Sequence, residues 1–95
     1  LKNISHERSY NVFRIIQEFV TNAQKYSACS NVHCEISMRN QKTMIMVHDD
    51  GVGFDLNSVK GGFGLKNMYK RAKLADAKIE LTSKIGEGTL LILEF

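Results

Sequence analysis

The stretch Thr43-Met44-Ile45-Met46-Val47-His48-Asp49-Asp50-Gly51-Val52-Gly53 joins an apolar run to a pair of carboxylates and two glycines. The apolar run has the composition of a strand, which would deliver Asp49 at its end. Glycine accepts positive φ and lets a ligand come close to backbone N–H groups. The stretch therefore predicts a strand that leads into a glycine-rich binding loop.

All seven glycines of the chain fall in three short clusters. The other two clusters are Gly61-Gly62-Phe63-Gly64 and Gly86-Glu87-Gly88. The first of these directly precedes the helical spacing that begins at Leu65, and the start of a helix offers free N–H groups and a positive dipole end to a phosphate. Clustered glycines beside Asp, Asn and Lys indicate a nucleotide that is held largely by backbone.

The periodicity of apolar residues predicts the elements around these clusters. In chain order they are a helix over 9–28 with Ser5 or Ser9 as its N-cap, strands over 31–38 and 43–48 joined by a turn at 40–42, a loop over 51–64, a helix over 65–75, and strands over 78–84 and 89–95. This order predicts an α+β two-layer sandwich, with helices on one face of a mixed, mainly antiparallel sheet.

The composition is that of one small globular domain of 95 residues, with 43% hydrophobic and 24% charged residues. The net charge of +3 favours an anionic ligand, but the cations are spread along the chain and do not indicate nucleic-acid binding. No apolar run is long enough to span a membrane. Cys29 and Cys34 lack metal-ligand spacing, which predicts reduced thiols.

Polar side chains at helical spacing follow one stripe of the first predicted helix: Glu18, Asn22, Lys25 and Tyr26. An Asn carbonyl can ligate Mg²⁺, which takes much of its remaining shell from phosphates and water. Lys25 could neutralise a phosphate, and Glu18 could orient a metal-bound water or accept a proton. Taken alone, the same spacing is also typical of a solvated helix face.

Asp49 has two interpretations. A carboxylate at the end of a buried strand can accept a hydrogen bond from an exocyclic amine such as that of adenine. An Asp at this position also commonly begins a turn. The doublet with Asp50 favours the first interpretation, because a turn needs only one Asp.

Together these motifs resemble the ATP-binding catalytic domain of sensor histidine kinases, in the superfamily shared with DNA gyrase and a heat-shock chaperone. The run Arg-Ile-Ile-Gln-Glu-Phe-Val-Thr-Asn-Ala-Gln-Lys-Tyr at 14–26 resembles the family's N box. Residues 49–53, 62–65 and 86–89 resemble its glycine boxes, in the same order. The N box and Gly-Leu-Lys-Asn-Met-Tyr-Lys-Arg-Ala at 64–72 are most similar to the nitrate-sensor and membrane-fluidity-sensor group. The resemblance implies a Bergerat-type fold for the whole chain.

The resemblance also implies ligands for individual residues, with ATP and Mg²⁺ as the cofactors. Asn22 would hold Mg²⁺, and Asp49 would bond the adenine amine in a pocket shaped by Gly51 and Gly53. The remaining implied contacts are Gly62, Gly64 and Leu65 in the box beside the phosphates, Lys25 on phosphate, Tyr26 lining the pocket and Thr89 supporting the adenine end. Glu18 is the candidate catalytic residue, tuning geometry rather than activating water.

The implied function is donation of the γ-phosphoryl group to a histidine on a separate dimerisation domain of the same parent, with a response regulator downstream. Residues 1–95 would be one ATP-binding catalytic domain, the C-terminal fragment of a longer kinase. We expect a cytoplasmic domain of a membrane-bound sensor that itself contacts neither nucleic acid nor membrane. Alternatives are a serine protein kinase of the anti-sigma-factor type and a nucleotide-binding module without kinase activity; a gyrase-like clamp fits less well because such domains are longer.

Several features depart from the family pattern or imitate another motif. The segment between Gly53 and Gly62 is short, which predicts a small lid. Ala75-Asp76-Ala77 stands where a glycine pair is common, and the strand before the first helix is missing or reduced to 1–4. His6 resembles part of a phosphoacceptor box but lies too close to the N box, so we interpret it as an N-terminal helix residue. His33 and His48 are interpreted as structural.

Overall fold

The computed structural model describes residues 6–26, 31–53 and 64–95, with the side chain of Tyr26 excepted. The elements are α1 (His6–Tyr26), β1 (Val32–Arg39), β2 (Lys42–Asp49), α2 (Leu65–Leu74), β3 (Lys78–Lys84) and β4 (Gly88–Glu94). The strands form one sheet in the order β1-β2-β4-β3, and every neighbouring pair is antiparallel. The predicted α+β architecture is confirmed, and the described strands contain none of the parallel pairs of a mixed sheet.

Both helices pack on one face of the sheet and form its core. Apolar positions on α1 recur every three or four residues, so they lie along one side of the helix. The buried residues of this core are Val12, Ile15, Phe19, Ile45, Val47, Leu65, Met68, Ala72, Ala75, Leu91 and Leu93. The central strands β2 and β4 supply the sheet's share of these residues, which fixes both helices above the middle of the sheet.

Strand β1 lies at one edge of the sheet and is exposed along its whole length. Its apolar residues alternate as the sequence predicts, and register places Cys34 opposite Val47 and Ile36 opposite Ile45. These side chains therefore share the face that carries the helices, because cross-strand partners point to the same side. Ile36 is nevertheless 58% exposed, since the buried core draws no residue from this strand.

The two helices run antiparallel and are joined at both ends. Near the start of α1, the Arg8 Nε–H donates to the carbonyl oxygen of Ala75 at 2.7 Å, just past the end of α2. One turn further along α1, Asn11 Oδ1 accepts from Arg71 at 3.1 Å. At the other end, Glu18 packs against Gly64 at the start of α2. The later part of α1 and the first turn of α2 therefore lie at the same end of the domain.

Two turns use left-handed backbone without glycine. Asn40 and Gln41 have φ of 51° and 66° in the two-residue β1–β2 hairpin, a pattern that matches the twist of antiparallel strands. Asp76 has φ of 52° after α2, where a glycine pair was expected from the resemblance. Aspartate tolerates this conformation better than most residues, so the chain turns sharply here despite the substitution.

The helix boundaries refine the sequence predictions. α1 begins by His6, so Ser9 lies inside the helix and is not its N-cap, and His6 is an N-terminal helix residue as predicted. The proposed strand at 1–4, Ser5, Cys29 and most of the predicted loop, including the small lid, lie outside the described residues. Neither described helix combines the length and apolarity that a membrane crossing needs.

Candidate functional site

The candidate site lies at the end of the sheet where β2 finishes and β4 begins. Asp49 at the end of β2 is the register partner of Thr89 on β4. Thr89 is in turn the partner of Ser83 on β3. The three side chains form a polar row across the face that carries the helices, and all three residues are buried.

The adjacent carboxylates Asp49 and Asp50 have different surroundings. Asp49 is only 2% exposed, and its Oδ1 accepts from the Gly51 N–H at 2.8 Å. Asp50 is exposed, and its two carboxylate oxygens accept from the backbone and side-chain amides of Asn31 at 3.0 and 3.2 Å. Asp50 thus ties β1 to the end of β2. Asp49 both begins a turn and is buried at the end of its strand. The two interpretations of this residue from the sequence, a turn residue and an acceptor for a ligand, are therefore compatible.

The first and last glycine clusters pack backbone against backbone. Gly53 and Gly88 have φ of 67° and 78°, in the region that favours glycine. A β-carbon on Gly88 would overlap the carbonyl oxygen of Asp49, and one on Gly53 would overlap that of Lys84. The Gly86 N–H also donates to the Val52 carbonyl at 2.6 Å. These contacts hold the loop after Asp49 against the β3–β4 turn.

The first turn of α2 forms the other part of the site. Gly64 is its N-cap with φ of 70°, and no side chain caps the helix. The first helical bond runs from the Met68 N–H to the Gly64 oxygen at 3.0 Å, which leaves the N–H groups of 65–67 without an intrahelical acceptor. No acidic residue lies in this turn. The arrangement suits an anion, because the helix dipole and the free N–H groups point toward the same space.

Leu65 contributes its backbone rather than its side chain to this turn. Its side chain belongs to the hydrophobic core, and the residue is 6% exposed. Only its main-chain N–H is therefore available to a ligand. Gly62, the other predicted residue of this box, lies outside the described residues.

The N-box residues of α1 lie beside these two parts of the site. Glu18 contacts Gly64, and Asn22 is half-buried one turn further along the helix. Lys25 is exposed in the last turn, and Tyr26 is the last helical residue, its side chain lying outside the described part. Only 27–30 separate α1 from Asn31, which is bonded to Asp50, so the end of α1 lies within reach of the Asp49 end of the sheet.

Ser83 is a candidate site residue that the motifs did not include. Strand β3 places Ile79 and Leu81 half-buried toward the core, and Ser83 continues the same alternation as a buried polar residue. A polar residue at an inward position of a strand needs a hydrogen-bond partner. That interruption of an apolar alternation is the signal by which the sequence could have revealed it.

The donor set suits a nucleotide and a hard cation. Among the described residues, no group of three His, Cys, Asp or Glu side chains could hold a metal. Mg²⁺ does not need such a group, since it is commonly held by one or two protein oxygens together with phosphates and waters. The Asn22 side-chain oxygen is the candidate protein ligand. The Gly64 turn, where a β-carbon would fill space beside Glu18, is the candidate phosphate cradle.

Residues 8–95 match the family described as histidine kinase-, DNA gyrase B-, and HSP90-like ATPase. The chain is 32% identical over 83 residues to the signal transduction histidine-protein kinase/phosphatase DegS of Brevibacillus brevis, covering 86% of this chain and 22% of that protein. It is 33% identical over 87 residues to DegS of Bacillus subtilis, with coverages of 87% and 23%. An uncharacterized sensor-like histidine kinase of Chloroflexus aurantiacus is 35% identical over 89 residues, with coverages of 86% and 15%. The chain thus spans less than a quarter of the length of each relative.

Solved structures share the fold at lower sequence identity. The histidine kinase domain of the blue-light activated histidine kinase of Erythrobacter litoralis superposes with a TM-score of 0.78 and 20% identity, over 94% of this chain and 44% of that chain. The Acinetobacter baumannii histidine kinase AdeS superposes with a TM-score of 0.75 and 13% identity, over 90% of this chain and 45% of that chain. At these identities the likeness establishes the fold alone.

Proposed function

This chain belongs to the histidine kinase-, DNA gyrase B-, and HSP90-like ATPase family, and we propose that it binds Mg²⁺-ATP and supplies the γ-phosphoryl group to a histidine on a separate dimerisation domain. The observation that carries the proposal is the buried Asp49 beside Thr89, at the end of the sheet toward which α2 presents its uncapped first turn. A nucleotide-binding site needs a hydrogen-bond acceptor for the base and a set of N–H donors for the phosphates, and these two features supply them. The histidine kinases among the relatives support the choice of reaction.

The adenine end is assigned to the buried polar row. Asp49 accepts a hydrogen bond from the exocyclic amine of the base, because one of its oxygens remains after Oδ1 has bonded the Gly51 N–H. Thr89 supports the same edge from the neighbouring strand. Gly51 and Gly53 shape the pocket wall, and the tight packing of Gly53 on Lys84 keeps that wall in place. Tyr26 lines the pocket in this proposal.

The phosphate end is assigned to the first turn of α2. Gly64 allows close approach, and the free N–H groups that begin at Leu65 point toward the bound oxygens. Lys25 is exposed at the end of α1 and supplies a mobile positive charge. Gly62 belongs to the same cradle by its position in the motif.

The metal end is assigned to α1. The Asn22 side-chain oxygen would hold Mg²⁺, which when bound neutralises phosphate charge during transfer. Glu18 lies one turn before Asn22 on α1 and packs on Gly64, so in this proposal it connects the metal end of the site to the phosphate end. In this proposal Glu18 is the catalytic residue that tunes geometry rather than one that removes a proton from water.

Transfer itself asks little covalent chemistry of these residues. A ring nitrogen of the acceptor histidine attacks the γ-phosphorus, the bond to the β,γ-bridging oxygen breaks, and ADP leaves. The chain's part is to hold the phosphates in line and to balance their charge. The acceptor histidine, a response regulator that receives the phosphoryl group, and attachment to a cytoplasmic face of a membrane-bound sensor all belong to the proposed parent protein.

Calorimetric titration of this chain with ATP and ADP, with and without Mg²⁺ and with GTP as control, tests the binding step. Saturable binding that prefers adenine and strengthens with Mg²⁺ is the expected result. A folded chain that binds no nucleotide would contradict the proposal, with circular dichroism as the check on folding.

The transfer step needs the parent protein and radiolabelled ATP. Phosphohistidine is labile in acid whereas phosphoserine is stable, so acid treatment of the labelled protein identifies the acceptor. Loss of label in acid supports the histidine kinase, and acid-stable label would instead favour a serine kinase of the anti-sigma-factor type.

A further inference from the structure

Ser83 lies in the second layer of the polar row, behind Thr89 as seen from Asp49. The residues occupy register positions Asp49↔Thr89 and Ser83↔Thr89 on three adjacent strands. Ser83, Thr89 and Asp49 are 8%, 4% and 2% exposed. Buried hydroxyl groups cannot exchange partners freely with water, so the direction of each proton is set by the protein.

Two hydrogen bonds of the Ser83 hydroxyl group set that direction. Its Oγ lies 3.2 Å from the carbonyl oxygen of Gly88 and 2.8 Å from Thr89 Oγ1. A carbonyl oxygen only accepts, and a serine hydroxyl has one proton, so the Ser83 proton points to Gly88. Both hydrogen bonds are then satisfied only if Thr89 donates its own proton to Ser83 Oγ.

Thr89 consequently has no proton left for a ligand. Its remaining lone pairs make it an acceptor, and the neighbouring Asp49 carboxylate is an acceptor as well. A base edge that meets both residues gains most if it presents amine hydrogens. An edge that presents a carbonyl oxygen would instead face two acceptors, which is unfavourable.

We propose that Ser83 is a positioning residue that holds the Thr89 hydroxyl as an acceptor, so that Asp49 and Thr89 together select a purine with an exocyclic amine over one with a carbonyl at the same place. Adenine presents such an amine, whereas guanine and hypoxanthine carry an oxygen there. The inference rests on the proposed function, because it concerns the base end of the same site. It adds a residue that does not touch the base and a reason for the discrimination.

The test is the ratio of dissociation constants for ATP and for inosine triphosphate, which differ in the group at this position, measured by calorimetry with Mg²⁺. Ser83→Ala frees the Thr89 hydroxyl to turn and donate toward a carbonyl. We expect the preference for ATP to fall by about three- to tenfold, the value of one hydrogen bond. Ser83→Thr keeps a hydroxyl and should keep the preference.

Two further variants separate this role from simple support of the fold. Thr82→Ala alters the exposed neighbour on the other face of β3 and should leave the preference unchanged. Thr89→Val removes the acceptor itself, so Ser83→Ala added to it should change the preference no further. If Ser83→Ala does not fold, Ser83→Cys preserves the volume with a weaker donor and takes its place.

The outcomes are distinct from those of the proposed function. Wild-type protein that fails to prefer ATP contradicts the adenine site itself. If the wild-type protein prefers ATP and Ser83→Ala lowers stability without changing the ratio of the dissociation constants for ATP and inosine triphosphate, the role of Ser83 in selection is overturned. Ser83 would then have only a structural role. The double variant gives a second test. If adding Ser83→Ala to Thr89→Val lowers the preference for ATP below that of Thr89→Val alone, Ser83 does not act through Thr89, and its proposed role is overturned.

Discussion

Glu18 of α1 lies so close to Gly64 that a β-carbon at position 64 would overlap its carboxylate group. This contact joins the N box to the start of α2, two segments that are far apart in sequence. It also means that the space beside the uncapped N-terminus is already shared with an acidic side chain. Glycine is therefore favoured here by a φ of 70°, and it also leaves room for the Glu18 carboxylate in its present position.

Gly64→Ala should weaken ATP binding more than it weakens the fold. Glu18 has a flexible side chain that can swing away, so the free energy of unfolding should fall by only about 1–2 kcal/mol from left-handed strain. The displaced carboxylate and the new methyl group would obstruct the phosphate cradle, and we expect ATP affinity to fall at least about tenfold. Urea denaturation and calorimetry measure the two effects.

Gly86→Ala is the matched control. Gly86 has φ of 86°, but a β-carbon there would meet nothing within 4 Å. The same strain is expected without any loss of ATP affinity. Equal losses of affinity in both variants would contradict a specific role for the Glu18–Gly64 contact.

Gly88→Ala and Gly53→Ala should destabilise the fold itself. Their β-carbons would overlap the carbonyl oxygens of Asp49 and Lys84, which cannot move without distorting the backbone that carries them. We expect the free energy of unfolding to fall by about 3 kcal/mol or more, beyond the loss seen for Gly86→Ala. Shifts of the urea midpoint no larger than that of Gly86→Ala would show that the two glycine clusters are not packed this way.

Asn22→Ala should abolish the Mg²⁺-dependent part of ATP binding while the fold survives. The side chain is half-buried on α1 and belongs to no described hydrophobic cluster, so its removal costs little packing. Calorimetry with and without Mg²⁺ gives the readout, and Gln24→Ala, an exposed change on the same helix, is the control. A Mg²⁺ effect that persists in Asn22→Ala would remove this residue from the metal site.

Asp49→Asn should weaken ATP and remove the preference for ATP over GTP. The amide keeps an oxygen that can accept from the Gly51 N–H, so the turn and the stability should change little. It replaces one acceptor with a donor, which no longer matches an exocyclic amine. Asp50→Asn is the control, because Asp50 is exposed and bonds Asn31 instead; a retained preference in Asp49→Asn would exclude Asp49 from the base site.

Arg8→Ala should destabilise the domain without changing ATP affinity. Arg8 bonds the Ala75 carbonyl at 2.7 Å and lies over the Phe95 ring, at the end of the helix pair remote from the site. Loss of this bond and of the stacking should cost about 1–3 kcal/mol, measured by urea denaturation. Lys73→Ala, on the exposed side of α2, provides a control. A large change in ATP affinity in Arg8→Ala would contradict the placement of Arg8 away from the nucleotide site.

Much of the fold could be predicted because its periodicities are local. Helical spacing around Ile15 and Phe19, and the apolar run that ends at Asp49, identify a helix and a strand without any tertiary information. The exposure of β1 could not be predicted in this way. Its alternation matches that of a covered strand, and only the position of the helices over β2 and β4 leaves Ile36 exposed.

The candidate site likewise has residues that the sequence predicts and residues that only the structure shows. The glycine clusters, Asp49 and Asn22 carry short motifs whose order is visible in the chain, and these motifs led to the family that the comparison confirmed. The roles proposed for the individual residues remain predictions. Ser83 belongs to no such motif, and its relation to Thr89 depends on strand register, which a sequence pattern does not specify.

The sequence by itself determined the element types, the α+β class and the family, because these follow from local spacing and from motifs whose residue types have few substitutes. Only the tertiary structure decided which glycines are sterically required, that Glu18 meets Gly64, and that the hydroxyl groups of Ser83 and Thr89 lie within hydrogen-bond distance. Each of these depends on atoms brought together from distant parts of the chain. Their distances are set by the packing of helices on the sheet and by strand register, and neither is a property of a local stretch of residues.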